Sequence, residues 1–191
     1  MQLIMSTDWH LNWGTVFDRP TDSGIGSRLQ EIIDSVLWVA DLGKKHKATM
    51  FLSLGDTFER SERLPTKEGL AILEMFKQIT PRYDKTLMLV GNHDQMSENH
   101  NIIDLFSETT GLRVLSKPSI VDVDGARLFF LPYIRESEDF YAALETFYAA
   151  DCPSKKYLFA HFWDSSVMAI DPDAVDLTKI KMDFFILLHR K

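Results

Sequence analysis

Five short apolar runs in this chain each stop at residues that bind metals or move protons. Leu3 to Ser6 ends in Asp8-Trp9-His10, Ala48 to Leu54 in Gly55-Asp56, and Thr86 to Val90 in Gly91-Asn92-His93-Asp94. Lys156 to Ala160 delivers His161, and Asp183 to Leu188 delivers His189. Runs of this length, apolar on both faces, predict buried strands, and buried strands of this kind are mostly parallel. Parallel strands present their C-terminal ends along one edge of a sheet, where the following loops form a crevice. Asp8, His10, Asp56, Asn92, His93, His161 and His189 are therefore expected to converge, in an α/β protein.

The segments between the runs supply the covering layers. Leu29, Ile32, Ile33, Val36, Leu37 and Ala40 recur at helical spacing between Arg28 and Lys47, with Lys44, Lys45 and Lys47 placed to complement the C-terminal end of the dipole. Pro65 suits the first turn of a helix burying Leu70, Leu73, Phe76 and Ile72. Ser97 is read as the cap of a short helix carrying Ile102, Ile103, Leu105 and Phe106. Ser119 to Leu131 alternates around Asp124-Gly125, the signal of an antiparallel hairpin. Glu138 to Ala150 reads as a helix whose aromatic stripe belongs in a core, and the stretch with Asp171-Pro172-Asp173 as a turn-rich loop. No repeat or linker divides the 191 residues, so residues 1–191 are expected to form one domain.

The formal charge is −7, so bulk electrostatics would not draw the protein to nucleic acid or to an anionic membrane. A single cysteine, Cys152, cannot form an internal disulfide, and neither a signal peptide nor a membrane-length apolar run is visible. The expected setting is the cytoplasm, away from membranes. Carboxylate, imidazole and amide donors together suit Mn²⁺, Fe²⁺ or Zn²⁺ better than an all-oxygen calcium shell. Two divalent cations would bring four positive charges against the two carboxylates of Asp8 and Asp56. Such a pocket stays net positive and can bind a phosphodiester in spite of the acidic chain. Asp56 is the natural bridging ligand at the usual metal separation of about 3.5 to 4 Å.

At residue usage of about five per cent, a tetrapeptide such as Gly91-Asn92-His93-Asp94 arises by chance in a chain this long about once in a thousand sequences. Together with Asp8-Trp9-His10-Leu11, Gly55-Asp56-Thr57-Phe58, Ser116-Lys117-Pro118 through Leu131-Pro132-Tyr133, and Phe159-Ala160-His161, it resembles the calcineurin-like metallophosphoesterases. Within them it is similar to the SbcD-like DNA repair and recombination nucleases, including their phage relatives. The resemblance implies a four-layer α/β/β/α sandwich and two divalent metals, usually Mn²⁺, with Mg²⁺, Fe²⁺ and Zn²⁺ left open. It also implies DNA as substrate and an SMC-type ATPase subunit as partner, with a homodimer left open. By the same resemblance Asp8 and His10 hold the first metal, Asp56 bridges, and Asn92, His161 and His189 hold the second. His93 would stabilise the transition state or protonate the leaving oxygen, and Asp94 would orient that imidazole, orient a neighbouring backbone group, or simply cap the loop.

The family's usual Gly-His-x-His ending reads Leu188-His189-Arg190-Lys191 here, so His189 matches the first histidine and the second is absent. The expectation is a catalytic part that lacks its last strands, the DNA-contacting cap and the ATPase-docking segment, with an unpaired sheet edge and a weakly held first metal. Glu59 stands where some relatives carry a histidine, which bears on how DNA is positioned. Trp13, just after the first motif, is the tryptophan offered for base stacking. Three activities stay open at this point: a DNA phosphodiesterase, a small-molecule or protein phosphoesterase on the same core, and an inactive metal-binding scaffold.

Overall fold

The computed structural model describes residues 2–97, 100–150, 155–165, 173–180 and 185–188, the last of these by backbone alone. In chain order the elements are β1 (Leu3–Ser6), α1 (Ser27–Lys45), β2 (Met50–Ser53), α2 (Thr66–Ile79) and β3 (Lys85–Leu89). Then follow β4 (Gln95–Ser97), β5 (His100–Asn101), α3 (Asp104–Thr110), β6 (Arg113–Leu115), β7 (Ser119–Val123) and β8 (Ala126–Leu131). The chain continues through α4 (Ser137–Ala149), β9 (Lys155–His161) and β10 (Phe185–Leu188).

Two four-stranded sheets carry the fold. The first has the order β1-β2-β3-β6 and is parallel throughout. The second has the order β10-β9-β8-β7, parallel except for the β7–β8 hairpin. That hairpin turns at Asp124 and Gly125, both in the left-handed region at φ 50° and 77°, as the Asp-Gly pair predicts.

Strand alternation sorts side chains into layers. Met50, Leu52, Leu87 and Leu89 meet Leu128, Phe130 and Phe159 between the sheets. Phe51 and Met88, one residue out of phase, face Ile32, Ile33, Ile72 and Phe76 on the helical side of the first sheet. Phe129, Leu131, Leu158 and Ala160 meet Phe140, Leu144 and Phe147 of α4 on the outer side of the second. The result is the expected four-layer α/β/β/α sandwich. Among the described residues no helix is long and apolar enough to cross a membrane.

Three local expectations change. Leu70 is exposed, because α2 turns Ile72, Met75, Phe76 and Ile79 inward and leaves Leu70 on the solvent side. Ser97 lies in β4, paired with His100, and caps no helix. The capping contact comes instead from Asn101, whose side-chain oxygen accepts from the Asp104 N–H at 3.1 Å. Ile102 and Ile103 are buried ahead of α3, and Leu105 points outward. Trp13 packs against the helical-side core as a partly buried residue. Cys152, Asp171, Pro172 and His189 lie outside the described residues.

Phe130 is fully buried between the sheets and stacks on Phe159 with ring centroids 5.1 Å apart. Phe130→Ala should cost about 3–5 kcal/mol, read as a lowered midpoint in urea with little change in slope.

Candidate metal centre

The strand ends meet because their loops are tied together through the backbone. Asp8 N–H donates to the Gly55 carbonyl at 3.1 Å, His10 N–H to that of Asp56 at 3.0 Å, and Leu11 N–H to that of Thr57 at 2.9 Å. The loops after β1 and β2 thus run side by side, anchored by fully buried Leu11 and Phe58. Asp8, His10 and Asp56 all hold left-handed backbone conformations, at φ 53°, 47° and 49°. That region is uncommon for residues other than glycine, and such strain gathers at functional sites.

Asp94 ties in the third loop. Its carboxylate accepts from Phe58 N–H and from Gly91 N–H, each at 2.9 Å, so it bridges the loops after β2 and β3. Of the roles open to Asp94 from the sequence, holding backbone groups is the one its contacts serve, which makes it a positioning residue. Burial pushes its carboxyl up to about 7, against the backbone N–H groups of Gly91, Phe58 and Thr57 that favour the charge.

The second sheet reaches the site through β9. Phe159 faces the first sheet, and two residues later the same parity aims His161 into the cleft. Its Nδ1 lies 3.0 Å from the Leu54 carbonyl and donates there. Its Nε2 then faces Asn92 Oδ1 at 3.2 Å and Asp56 Oδ1 at 3.4 Å. Gly55 is required by this approach, because a Cβ on it would sit 2.3 Å from His161 Nδ1. Gly91 is required likewise, since its Cβ would sit 2.3 Å from both the Asp56 nitrogen and Asp56 Oδ1.

The two oxygens of Asp56 look in different directions. Oδ1 accepts the His93 N–H at 3.0 Å and faces His161 Nε2 at 3.4 Å, while Oδ2 faces His10 Nε2 at 3.8 Å. Asp8 Oδ1 is 3.7 Å from the same nitrogen. One donor atom each from His10, Asp56 and His93 also lie within 4.8 Å of one another, a group able to hold a cation. The rings of His10 and His93 meet edge to face at 4.9 Å, and His93 Nδ1 is 3.1 Å from the Glu59 carbonyl.

The electrostatics are those of a site made for cations. The Asp8 carboxylate, as acceptor for the His10 imidazolium, raises that imidazole above its usual value; burial opposes this, and Asp56 and Glu59 add to it. Burial pushes His161 down, but the Asp56 carboxylate outweighs it and the net shift is upward. Burial pushes Asp56 up, and His161 more than reverses that, leaving it below the usual carboxylate range. With Nδ1 of His161 spent on a carbonyl, its Nε2 lone pair converges with an amide oxygen and a carboxylate oxygen. Three donors aimed at one point fit a divalent cation.

Asp8, His10, Asp56, Asn92, His93 and His161 are thus brought together from three loops of the first sheet and the end of β9 in the second, around Asp56 as common member. Glu59, noted in the sequence only as a departure, touches two of these histidines, and Tyr133 sets its ring against His161 at 6.5 Å. The sequence placed both beside motifs, Glu59 after Gly55-Asp56-Thr57-Phe58 and Tyr133 in Leu131-Pro132-Tyr133, without showing which histidine either one meets.

Imidazole and carboxylate donors gathered around one buried aspartate are the mark of a metal-dependent phosphoesterase site. The chain belongs to the calcineurin-like phosphoesterase family, whose sequence model matches residues 1–184. It is also similar to exonuclease subunit 1 of Enterobacteria phage T4, at 26% identity over 144 residues. That match takes in 71% of this chain and 39% of the phage protein, so the chain spans well under two thirds of that relative.

Two outcomes follow. Asparagine offers one acceptor oxygen where the Asp94 carboxylate uses both of its oxygens on backbone N–H groups, so Asp94→Asn should lose about 1–3 kcal/mol in denaturant melts. Asp94, His10 and His161 all have folded values above their unfolded ones, so the metal-free fold binds extra protons. Asp94 costs stability as pH rises from about 4 to about 7, and the histidines lose theirs above about 6.5. Thermal melts in chelator should therefore fall from pH about 6 to about 8.5, and added Mn²⁺ should reverse the trend because metal competes with protons.

Proposed function

We propose that this chain is a divalent-metal-dependent phosphodiesterase acting on DNA, the nuclease part of an assembly with an SMC-type ATPase, working in the cytoplasm. The observation that carries the reading is the division of Asp56 between two donor sets, with His93 beside them. In it Asp8, His10 and Asp56 hold the first ion, and Asp56, Asn92 and His161, joined by His189, hold the second. Mn²⁺ is the ion that this mixed nitrogen and oxygen donor set favours in the proposal. DNA is supported by the exonuclease subunit to which the chain is similar. A cleft of about 920 Å³ that includes Asn92 offers Tyr133 and Trp163 as aromatic surfaces for a base and Arg135 for a phosphate, with Glu136, Asp139 and Asp173 also on its walls. A homodimer is compatible with the proposal.

When bound, the two cations supply Lewis acidity at the phosphate oxygens and lower the pKa of water. The residues of the chain do the rest. His93 Nδ1 is committed to the Glu59 carbonyl, which leaves Nε2 as the nitrogen to meet the substrate. As water adds to phosphorus and the bond to the leaving oxygen breaks, protonated His93 gives its Nε2 proton to that oxygen, and the proton released by the water passes to solvent, from which His93 is reprotonated. Asp94 keeps the loop bearing His93 in place through Gly91 and Phe58.

With Mn²⁺ present, linear duplex DNA should be degraded, and His93→Ala should slow this by about 10²–10⁴-fold with metal content unchanged at about two ions per chain. Hydrolysis of simple phosphomonoesters with DNA left intact would overturn the choice of substrate. One ion or fewer per chain, with neither substrate turned over, would overturn the two-metal reading.

A further inference from the structure

Glu59 is the residue through which two of the site's imidazoles meet. Its side-chain Oε2 lies 2.8 Å from His10 Nδ1, and its main-chain carbonyl lies 3.1 Å from His93 Nδ1. His10 Nδ1 is buried and makes no hydrogen bond of its own, because the Glu59 oxygen stands close but off the line such a bond needs. The Glu59 side chain is 37% exposed and can turn onto that line. On the other edge of the His10 ring, Nε2 faces Asp8 and Asp56. A histidine presents a lone pair to a metal through one nitrogen only when the proton sits on the other, and the acceptor beside that other nitrogen decides where it sits.

We propose that Glu59 is a positioning residue: its carboxylate fixes the proton of His10 on Nδ1, aiming Nε2 at the first metal position, while its carbonyl does the same for His93 toward the substrate. One residue thereby sets the orientation of a metal ligand and of the proton donor, whose rings are in edge-to-face contact at 4.9 Å. The two functions are chemically separable. Changing the side chain removes the support for His10 and leaves the carbonyl that holds His93. The inference rests on the metal centre and is independent of whether the substrate is DNA.

Two measurements on the full chain test it. Mn²⁺ is titrated calorimetrically into metal-free protein, with the binding step lost in His10→Ala taken as the step that belongs to His10. In parallel, the tautomers of His10 and His93 are read by ¹⁵N NMR of the metal-free protein on the alkaline plateau of the ring-nitrogen shifts, where the imidazoles are neutral. Glu59→Ala should weaken the His10 step by about 10–100-fold, leave the other step unchanged, and mix the His10 tautomers while His93 keeps its proton on Nδ1. Glu59→Gln, which retains an acceptor without the charge, should fall between Glu59→Ala and the parent. An unaltered His10 step or an unaltered His10 tautomer in Glu59→Ala overturns the proposal. Should that variant fail to fold, parental values in Glu59→Gln overturn it equally. Because neither readout involves turnover, failure here is distinct from failure of the nuclease proposal.

Discussion

A buried carboxylate, that of Asp94, joins loops that lie far apart along the chain, and the metal centre is built on that joint. It accepts one N–H from the loop after β2 and one from the loop after β3. Through it, the loop carrying Asp56 and the loop carrying Asn92 and His93 share one buried acceptor. With it, the His93 N–H reaches Asp56 Oδ1, and Gly91 lies against the Asp56 backbone at a distance that tolerates no side chain. A carboxylate kept wholly away from water costs free energy, which fits the upward push on its pKa. The structure bears that cost where the reward is the mutual placement of ligands from three loops.

From that joint outward the site is an exercise in charge. Asp8, Asp56 and Glu59 cluster around His10, while Asp56 also faces His161. The imidazoles answer by holding protons more tightly than usual. A cleft that draws protons to its histidines draws divalent cations by the same field, and metal and proton compete for the same lone pairs. An acidic protein of formal charge −7 can in this way acquire a positive patch where it needs one.

Much of the architecture was legible because buried parallel strands leave a plain trace. The apolar runs at β1, β2, β3 and β9, the Asp-Gly hairpin and the amphipathic pattern of α1 all translate directly into observed elements. Expectations failed where a local pattern had two physical outcomes. Ser97 looks like a cap, yet cross-strand pairing with His100 claims it, and Asn101 takes over the capping. Leu70 matches the helical stripe in type but falls on the far side once α2 seats Ile72 and Phe76. Strand β6 is only three residues long, too short for any periodicity to declare it.

The order of residues alone determined which side chains could do chemistry, because strand-ending Asp, His and Asn residues are dictated by composition and spacing along one segment at a time. It could not determine which atoms face each other. The separate directions of the two Asp56 oxygens, the Nδ1 contact of His161 with Leu54, and the double contact of Glu59 all join residues from different segments. Those arrangements arise from packing one sheet on the other and from loops locked by shared hydrogen bonds. Angles and distances between remote segments are properties of the folded whole, and no local pattern encodes them.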